Sequence, residues 1–345
     1  MTSPPSERRV VVVTVATVVT LVVAVVCGLV IGPTSISTLR ILGDAFSHLG
    51  LGHSTLASTQ SSVVWQLRAP RMVLGLLAGA MLAVAGGTYQ GVFRNPLADP
   101  YLLGVAAGAG LGATLAIVDV ANAATVPTWT PLLAFAGAMV AVTLTWVIGG
   151  RSMRSTTATL VLAGVAVAAL FTSAQTYLQQ QSSAQSIANV YIWLLGSLAN
   201  ASWHSVEIAI PYVAVCATVC VLAGRALDVM SVGDDEARSL GLSVRSVRLL
   251  VVAASSLGTA AIVSVVGLIG FVGIIVPHIV RLLVGTSYRR ILPISVLFGA
   301  AFLVLADTVA RTVMAPSELP LGVVTAVIGA PVFVLILSVR RMGNS

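Results

Sequence analysis

The sequence predicts an all-α integral membrane protein of about ten transmembrane helices. Three observations carry that prediction. Of 345 residues, 57% are hydrophobic and only 8% charged; the mean hydropathy is +1.02; and the apolar residues fall into runs near the ~20 that cross a bilayer core, broken by short connections rich in Arg, Gly and Pro. A soluble domain carries roughly a quarter charged residues, so lipid must cover most of this surface.

The runs follow in order. Val10 to Ile31 is continuous and apolar directly behind Arg8 and Arg9. It is longer than a signal-peptide core and no small-residue cleavage site follows, so it reads as a retained first span. Hydropathy and breakers place further spans at 71–92, 101–118, 131–149, 156–180, 205–224, 247–265, 267–284, 291–312 and 321–339. The Gly-rich run 265–285 is where a span can break. No internal repeat, low-complexity tract or soluble domain is visible, so residues 1–345 read as one polytopic transmembrane domain. Residues 1–9 form its tail, and 225–247 its longest charged connection.

Arginine placement orients the spans. Starting inside, the alternation puts Arg8, Arg9, Arg94, Arg151, Arg154, Arg225, Arg238, Arg245, Arg248, Arg281, Arg289, Arg290, Arg340 and Arg341 in the cytoplasm. Only Arg40, Arg68, Arg71 and Arg311 are left outside, and fourteen against four places both termini in the cytoplasm. Gly75-x-x-x-Gly79 and Gly104-x-x-x-Gly108-x-x-x-Gly112 let helix backbones approach closely.

Composition also excludes functions. All 18 basic residues are arginine. Without lysine there is no phosphate-cradling Gly-Lys-Ser/Thr loop and no Schiff base, so any ATP hydrolysis belongs to another polypeptide. No basic stripe with interleaved aromatics points to nucleic acid. Cys27, Cys216 and Cys220 lie in apolar runs without metal or redox spacing and read as small buried hydrophobes. His278 ends a span alone, and His48, His53 and His204 lie in or near outer connections, so no metal or cofactor is expected. No Ser/His/Asp or paired-carboxylate set stands out.

The eleven carboxylates weigh against ion coupling, which favours an acid near the bilayer midplane. Asp44, Asp99, Asp228, Asp234, Asp235, Glu236 and Glu318 read as loop residues, Glu7 lies in the tail, and Asp119 and Glu207 fall near outer span ends. Asp307 alone sits well inside a helix. Arg311 follows at i,i+4, the spacing of a structural ion pair; a coupling role for Asp307 is the alternative.

Between the sixth and seventh spans runs GRALDVMSVGDDEARSLGLSVRSVR. Asp234 or Asp235 can cap a short helix, Glu236 suits its first turn and Gly241 can end it. Such a helix is what a membrane domain needs to dock on a soluble motor; an ordinary polar loop is the other reading.

LRAPR at 67–71, GTYQGVFRNPLADPYLLG, the GDDEARSLG loop and GLIGFVGIIVPHIVR together resemble the FecCD-type permeases of ABC importers, which serve iron–siderophore, haem and vitamin B12 uptake. ADTVART…ELPLGVVTAVIGAPVFVLIL is similar to that family's last two helices. The match runs in order from about residue 65 to the C-terminus. The departures are small: an alanine within LRAPR and the tyrosine in GTYQG.

The resemblance implies a vitamin B12 permease-like, type II ABC importer fold in a bacterial cytoplasmic membrane. It implies a second permease subunit, identical or homologous, two cytoplasmic ATPase subunits, an extracytoplasmic substrate-binding protein and a metal-chelate cargo. A ferric siderophore comes first by family frequency, with haem or cobalamin behind. Arg68, Arg71 and Arg311 stand at positions that take salt bridges from the binding protein; snorkelling helix anchors are the alternative. Asp234, Asp235, Glu236, Ala237, Arg238, Ser239, Leu240 and Gly241 become the ATPase-coupling helix. Arg94, Asn95, Pro96 and Asp99 belong to a cytoplasmic hairpin near that interface. An ion-coupled secondary transporter is the competing class, and an intramembrane enzyme lacks a dyad to perform it.

Overall fold

A computed structural model describes residues 6–32, 36–48, 56–119, 126–149 and 157–342. Among these, seven helices are long and apolar enough to cross a membrane: Glu7–Val30 (α1), the continuous Ser58–Val92, Thr130–Gly149 (α6), Ala158–Gln180 within α7 (Thr157–Gln180), Trp203–Leu222 (α9), Val244–Val266 (α12) and Tyr288–Ala310 (α14). Three shorter apolar helices lie in Val105–Asp119 (α5), Val272–Val284 (α13) and Leu321–Met342 (α15), ten in all. Every expected span has its helix. The protein is a helical integral membrane protein.

Ser58–Val92 is composite: Ser58–Ser62 (α3), a π-helical turn Val63–Arg68, and Ala69–Val92 (α4). α4 is the central post, buried on all sides from Ala78 to Phe93. It packs on α14, α12, α13 and α9, while α5, α6 and α7 pack on one another as a second layer joined through α12. Small residues allow this. A Cβ on Gly79 would collide with the carbonyl of Gly299 in α14, and one on Gly86 with the carbonyl of Gly273 in α13. Gly108 and Gly112 of α5 meet Gly137 and Leu133 of α6 in the same way. Without a hydrophobic drive in lipid, such approaches gain dispersion contact that larger residues would block. α1 is the opposite case: among its described residues only Thr17, Ala24 and Gly28 are buried, and most of its valines, from Val11 to Val26, are exposed.

The Gly-rich run does break. α12 stops at Val266, Gly267 has φ 74°, Phe271 adopts a left-handed conformation at φ 68°, and α13 starts at Val272. Unpaired backbone is costly inside a bilayer, and here side chains and loops cover it. The Ser197 N–H donates to Val266 O (2.9 Å). The Tyr101 hydroxyl donates to Ile269 O (2.9 Å) and accepts from Ile269 N (3.1 Å).

Short helices also cover Thr38–His48 (α2), Ala184–Leu194 (α8) and Gly224–Met230 (α10) among the described residues. Asp234–Ser239 (α11) follows α10. α10, α11, the 93–104 hairpin and the facing ends of α12, α13 and α14 make one end of the bundle, here the basic end. The C-terminus of α1, the start of α4 and the end of α14 make the far end.

Candidate docking and coupling sites

At the far end the chemistry begins with an unfinished helix. α1 closes its last bond from Ile31 N to Cys27 O (2.9 Å), leaving the carbonyls of Gly28, Leu29 and Val30 without partners within the helix. Arg68 Nη1 donates to Leu29 O and Val30 O, both at 2.9 Å, and Arg311 Nη2 donates to Gly28 O at 2.6 Å. Two guanidiniums thus cap one helix C-terminus, the end whose partial negative charge favours cations. They are 5% and 4% exposed.

Arg71, one turn past Arg68, faces two carboxylates. Its Nε and Nη2 reach Asp307 at 2.9 and 2.8 Å, and its Nη1 and Nη2 reach Glu318 at 2.9 Å each. The Arg71 and Asp307 side chains are 12% and 5% exposed, that of Glu318 35%. A guanidinium engaged on two edges by two acids is a strong, directional arrangement.

These positions amend the expectation for the three arginines. Arg68 and Arg311 donate to the last carbonyls of α1 and are almost wholly buried. The i,i+4 pair of Asp307 with Arg311 is long, 3.9 Å. Asp307's near partner is Arg71, which sequence spacing could not reveal across 236 residues. Asp44, read as a loop acid, is fully buried in α2, where it accepts from Trp65 Nε1 (2.7 Å) and Ser61 Oγ (3.0 Å). It pins the α2 segment to the π turn that carries Arg68.

At the basic end, α11 covers Asp234–Ser239. Its last turn ends in a left-handed Gly241 (φ 83°), with Gly241 N donating to Arg238 O and Leu242 N to Ala237 O. This paired closure is the glycine-terminated motif that a C-terminal glycine allows. The expected aspartate cap is absent: Gly233 occupies the N-cap. Asp234 instead lies inside the first turn and bridges two other elements. Arg94 of the hairpin donates to it, and Arg248 Nη2 of α12 donates at 2.8 Å. Arg94 Nε also donates to Met230 O (2.9 Å). Two guanidiniums outbid the helix's own N–H groups for that carboxylate. Partial burial works against the charge, but Arg248 and then Arg94 more than offset it and hold the carboxyl below its ordinary range.

Ala237 is buried, whereas Asp235, Glu236, Arg238, Ser239, Leu240 and Gly241 are exposed. The exposed Asp235 and Arg238 pair with each other (2.5 Å). Within the hairpin, Asn95 Oδ1 accepts from Leu97 N (3.0 Å) and Asp99 Oδ1 from Tyr101 N (2.7 Å), two side-chain turns around Pro96 and Pro100.

Asp228, at the end of α10, carries no local signal of a role. Its carboxylate accepts from Ser287 Oγ (2.7 Å) and from the N–H groups of Tyr288 and Arg289, capping α14 from outside that helix. A cavity of about 630 Å³ opens beside it, with Gln90, Arg94, Ser231, Arg281, Thr286 and Tyr288 in its walls. No cluster of three or more potential metal ligands occurs among the described residues. The two ends share α4 and α14: Arg71 and Asp307 join them at the far end, and their other ends lie against α10.

Comparison with known proteins gives a consistent picture. The pattern of the FecCD transport family matches residues 20–339. The chain is 43% identical over 288 residues to the cobalamin import system permease protein BtuC of Halobacterium salinarum, covering 82% of this chain and 75% of that one. It is 42% identical over 279 residues to the Fe(3+) dicitrate transport system permease protein FecD of Escherichia coli, covering 80% and 85%. Among solved structures, an inward-facing metal-chelate type ABC transporter superposes with a TM-score of 0.82 at 29% identity, over 94% of this chain and 98% of that one.

Proposed function

The chain belongs to the FecCD transport family, and from that premise we propose that it is the permease subunit of an ATP-driven metal-chelate importer. In this reading the basic end is cytoplasmic, with both chain termini on that side, and two ATPase subunits, separate polypeptides, dock there. The far end receives an extracytoplasmic binding protein, and a second permease, identical or homologous, completes the path. The chain performs no chemistry; it gates and couples.

The observation that carries the reading is the Asp234 bridge. It ties the exposed α11 to the α4–α5 hairpin through Arg94 and to α12 through Arg248. A force on α11 therefore reaches the central post and its neighbour directly. α14, capped at its start by Asp228 of α10 and packed on α4 through Gly79 and Gly299, follows the same displacement. ATP-driven closure of the motor moves α11, and α4 and α14 carry the movement to the far end.

There, Arg71 and Glu318 form the pair suited to exchange. Glu318 is the more exposed acid of the cluster, so an incoming carboxylate of the binding protein can displace it while Asp307 keeps Arg71 in place. Arg68 and Arg311 support that surface by capping α1 rather than by touching the partner.

The two permease relatives carry different cargoes by name, cobalamin and ferric dicitrate, at nearly equal identity. Overall identity therefore does not choose between them. We place a ferric siderophore first, with cobalamin and haem as the alternatives. Proteoliposomes holding this chain, its ATPase and its binding protein test all three. Uptake of one labelled chelate that requires both ATP and the binding protein is expected. Uptake that follows a proton or sodium gradient without ATP overturns the reading.

A further inference from the structure

The cavity at the basic end holds a cation, Arg281, that forms no salt bridge among the described residues. Arg281, in the last turn of α13, lies with its guanidinium 5.1 Å from the centre of the Tyr288 ring. Its Nη2 donates to Gln90 Oε1 (3.1 Å) and to the Tyr288 hydroxyl (3.2 Å), both neutral, and its Nε has no partner among the described residues. Gln90 is itself fixed in orientation. Its Nε2 donates to Gly273 O and Ile274 O, which turns Oε1 towards Arg281. The carboxylate in the wall, Asp228, is committed to the start of α14. Arg94 is already paired with Asp234, and the Thr286 hydroxyl is exposed and unengaged among the described residues. The C-terminal dipole of α13 favours such a cation only weakly and supplies no hydrogen-bonding counter-ion. A carboxylate in direct contact with Arg281 is the group this arrangement lacks.

We propose that this cavity is a socket for an acidic side chain of the ATPase subunit, a second attachment point beside α11. The inference rests on reading the basic end as the ATPase side. Continuity argues for that occupant: Ser231 in the cavity wall lies just before the α11 segment, so a protein seated on α11 overhangs the opening. Charge argues for it too. Arg94, Arg225, Arg238, Arg245, Arg248, Arg281, Arg289 and Arg290 gather at this end against Asp99, Asp228, Asp234, Asp235 and Glu236. A guanidinium with an adjacent hydroxyl suits a carboxylate in a bidentate pose. The pair would lock register between permease and motor rather than drive association by itself.

The test uses the assembled transporter in nanodiscs, with a photo-crosslinking residue at the exposed Thr286. Capture of an ATPase peptide containing Asp or Glu is expected. Capture of lipid alone, of a second permease copy, or of nothing overturns the socket. In parallel, Arg281→Met keeps the volume and removes the charge, and should weaken ATPase retention about tenfold. Arg281→Lys should restore part of that retention. Retention by the Met variant equal to that of the parent overturns the proposal. A variant with a Gly/Ser linker in place of Glu236–Gly241 separates the two readings. If it also retains and couples the ATPase normally, the basic-end reading itself fails. If it uncouples transport while Arg281→Met changes nothing, only the socket fails.

Discussion

The two ends of the bundle use the same side chain in opposite ways. At the far end Arg68, Arg71 and Arg311 are almost wholly covered, and their charge is absorbed by helix carbonyls and two acids of the same chain. At the basic end the side chain of Arg94 is 40% exposed and that of Arg238 61%, while Arg281 meets no acid among the described residues. A buried guanidinium that has lost its water requires partners of its own, and the fold must supply them. A half-exposed one keeps some hydration and stays available to a second protein. Burial, not residue type, therefore separates the arginines that hold helices from those left open to solvent.

The sharpest way to break this comparison is Asp307→Ala. It strips Arg71 and Arg311 of their buried counter-charge, and breaking such a pair costs about 3–5 kcal/mol. Asp235→Ala, at the exposed pair with Arg238, should cost about 0–1 kcal/mol. Thermal unfolding of the purified permease in detergent checks both. Equal melting temperatures for the two variants would remove the distinction between the ends.

Arg311→Met probes the same end more gently. It removes the donor to Gly28 O and leaves a buried carbonyl unsatisfied, a loss of about 1–3 kcal/mol. Because Arg68 still serves Leu29 and Val30, the loss should be local. Amide exchange should quicken in the last turn of α1 while the α4 core stays protected. Exchange that rises across α4 and α14 together would mean that Arg311 holds more than a helix end.

What can be read from sequence follows the range of the forces involved. The spans are legible because each is a local statement about some twenty residues and lipid. The Gly-rich break after Val266 and the glycine end of α11 are legible because backbone chemistry marks them locally. The partners of the charges are not. Arg71 with Asp307, Asp228 with the start of α14, and Asp234 with Arg94 and Arg248 join residues far apart in the chain. Pairing by i,i+4 spacing chooses Arg311 for Asp307, although a rotamer reaching α1 is open to that arginine. The cap expected from Asp234 fails for the same reason: a local rule meets a stronger tertiary partner. Motifs mark segments of the chain, but not which of their side chains are spent within it.

Asp234→Asn should change stability little, and it tests what the exposed end is for. The Asp234 side chain is 28% exposed and shares two arginines, so removing its charge should cost at most about 1 kcal/mol of stability. Coupling should suffer far more, because α11 loses its ties to the hairpin and to α12: ATP hydrolysed per chelate imported should rise several-fold in proteoliposomes. The pH dependence has a definite sign. Burial opposes the Asp234 charge, but Arg248 and Arg94 outweigh it and lower the folded carboxyl below its unfolded value. Its contribution is therefore complete above the ordinary aspartate value of about 3.9 and is lost only as pH falls through the lower folded one. The parent's coupling ratio should be flat from about pH 5 to 8 as far as this group is concerned. A ratio that Asp234→Asn leaves unchanged would show that α11 transmits force without the bridge.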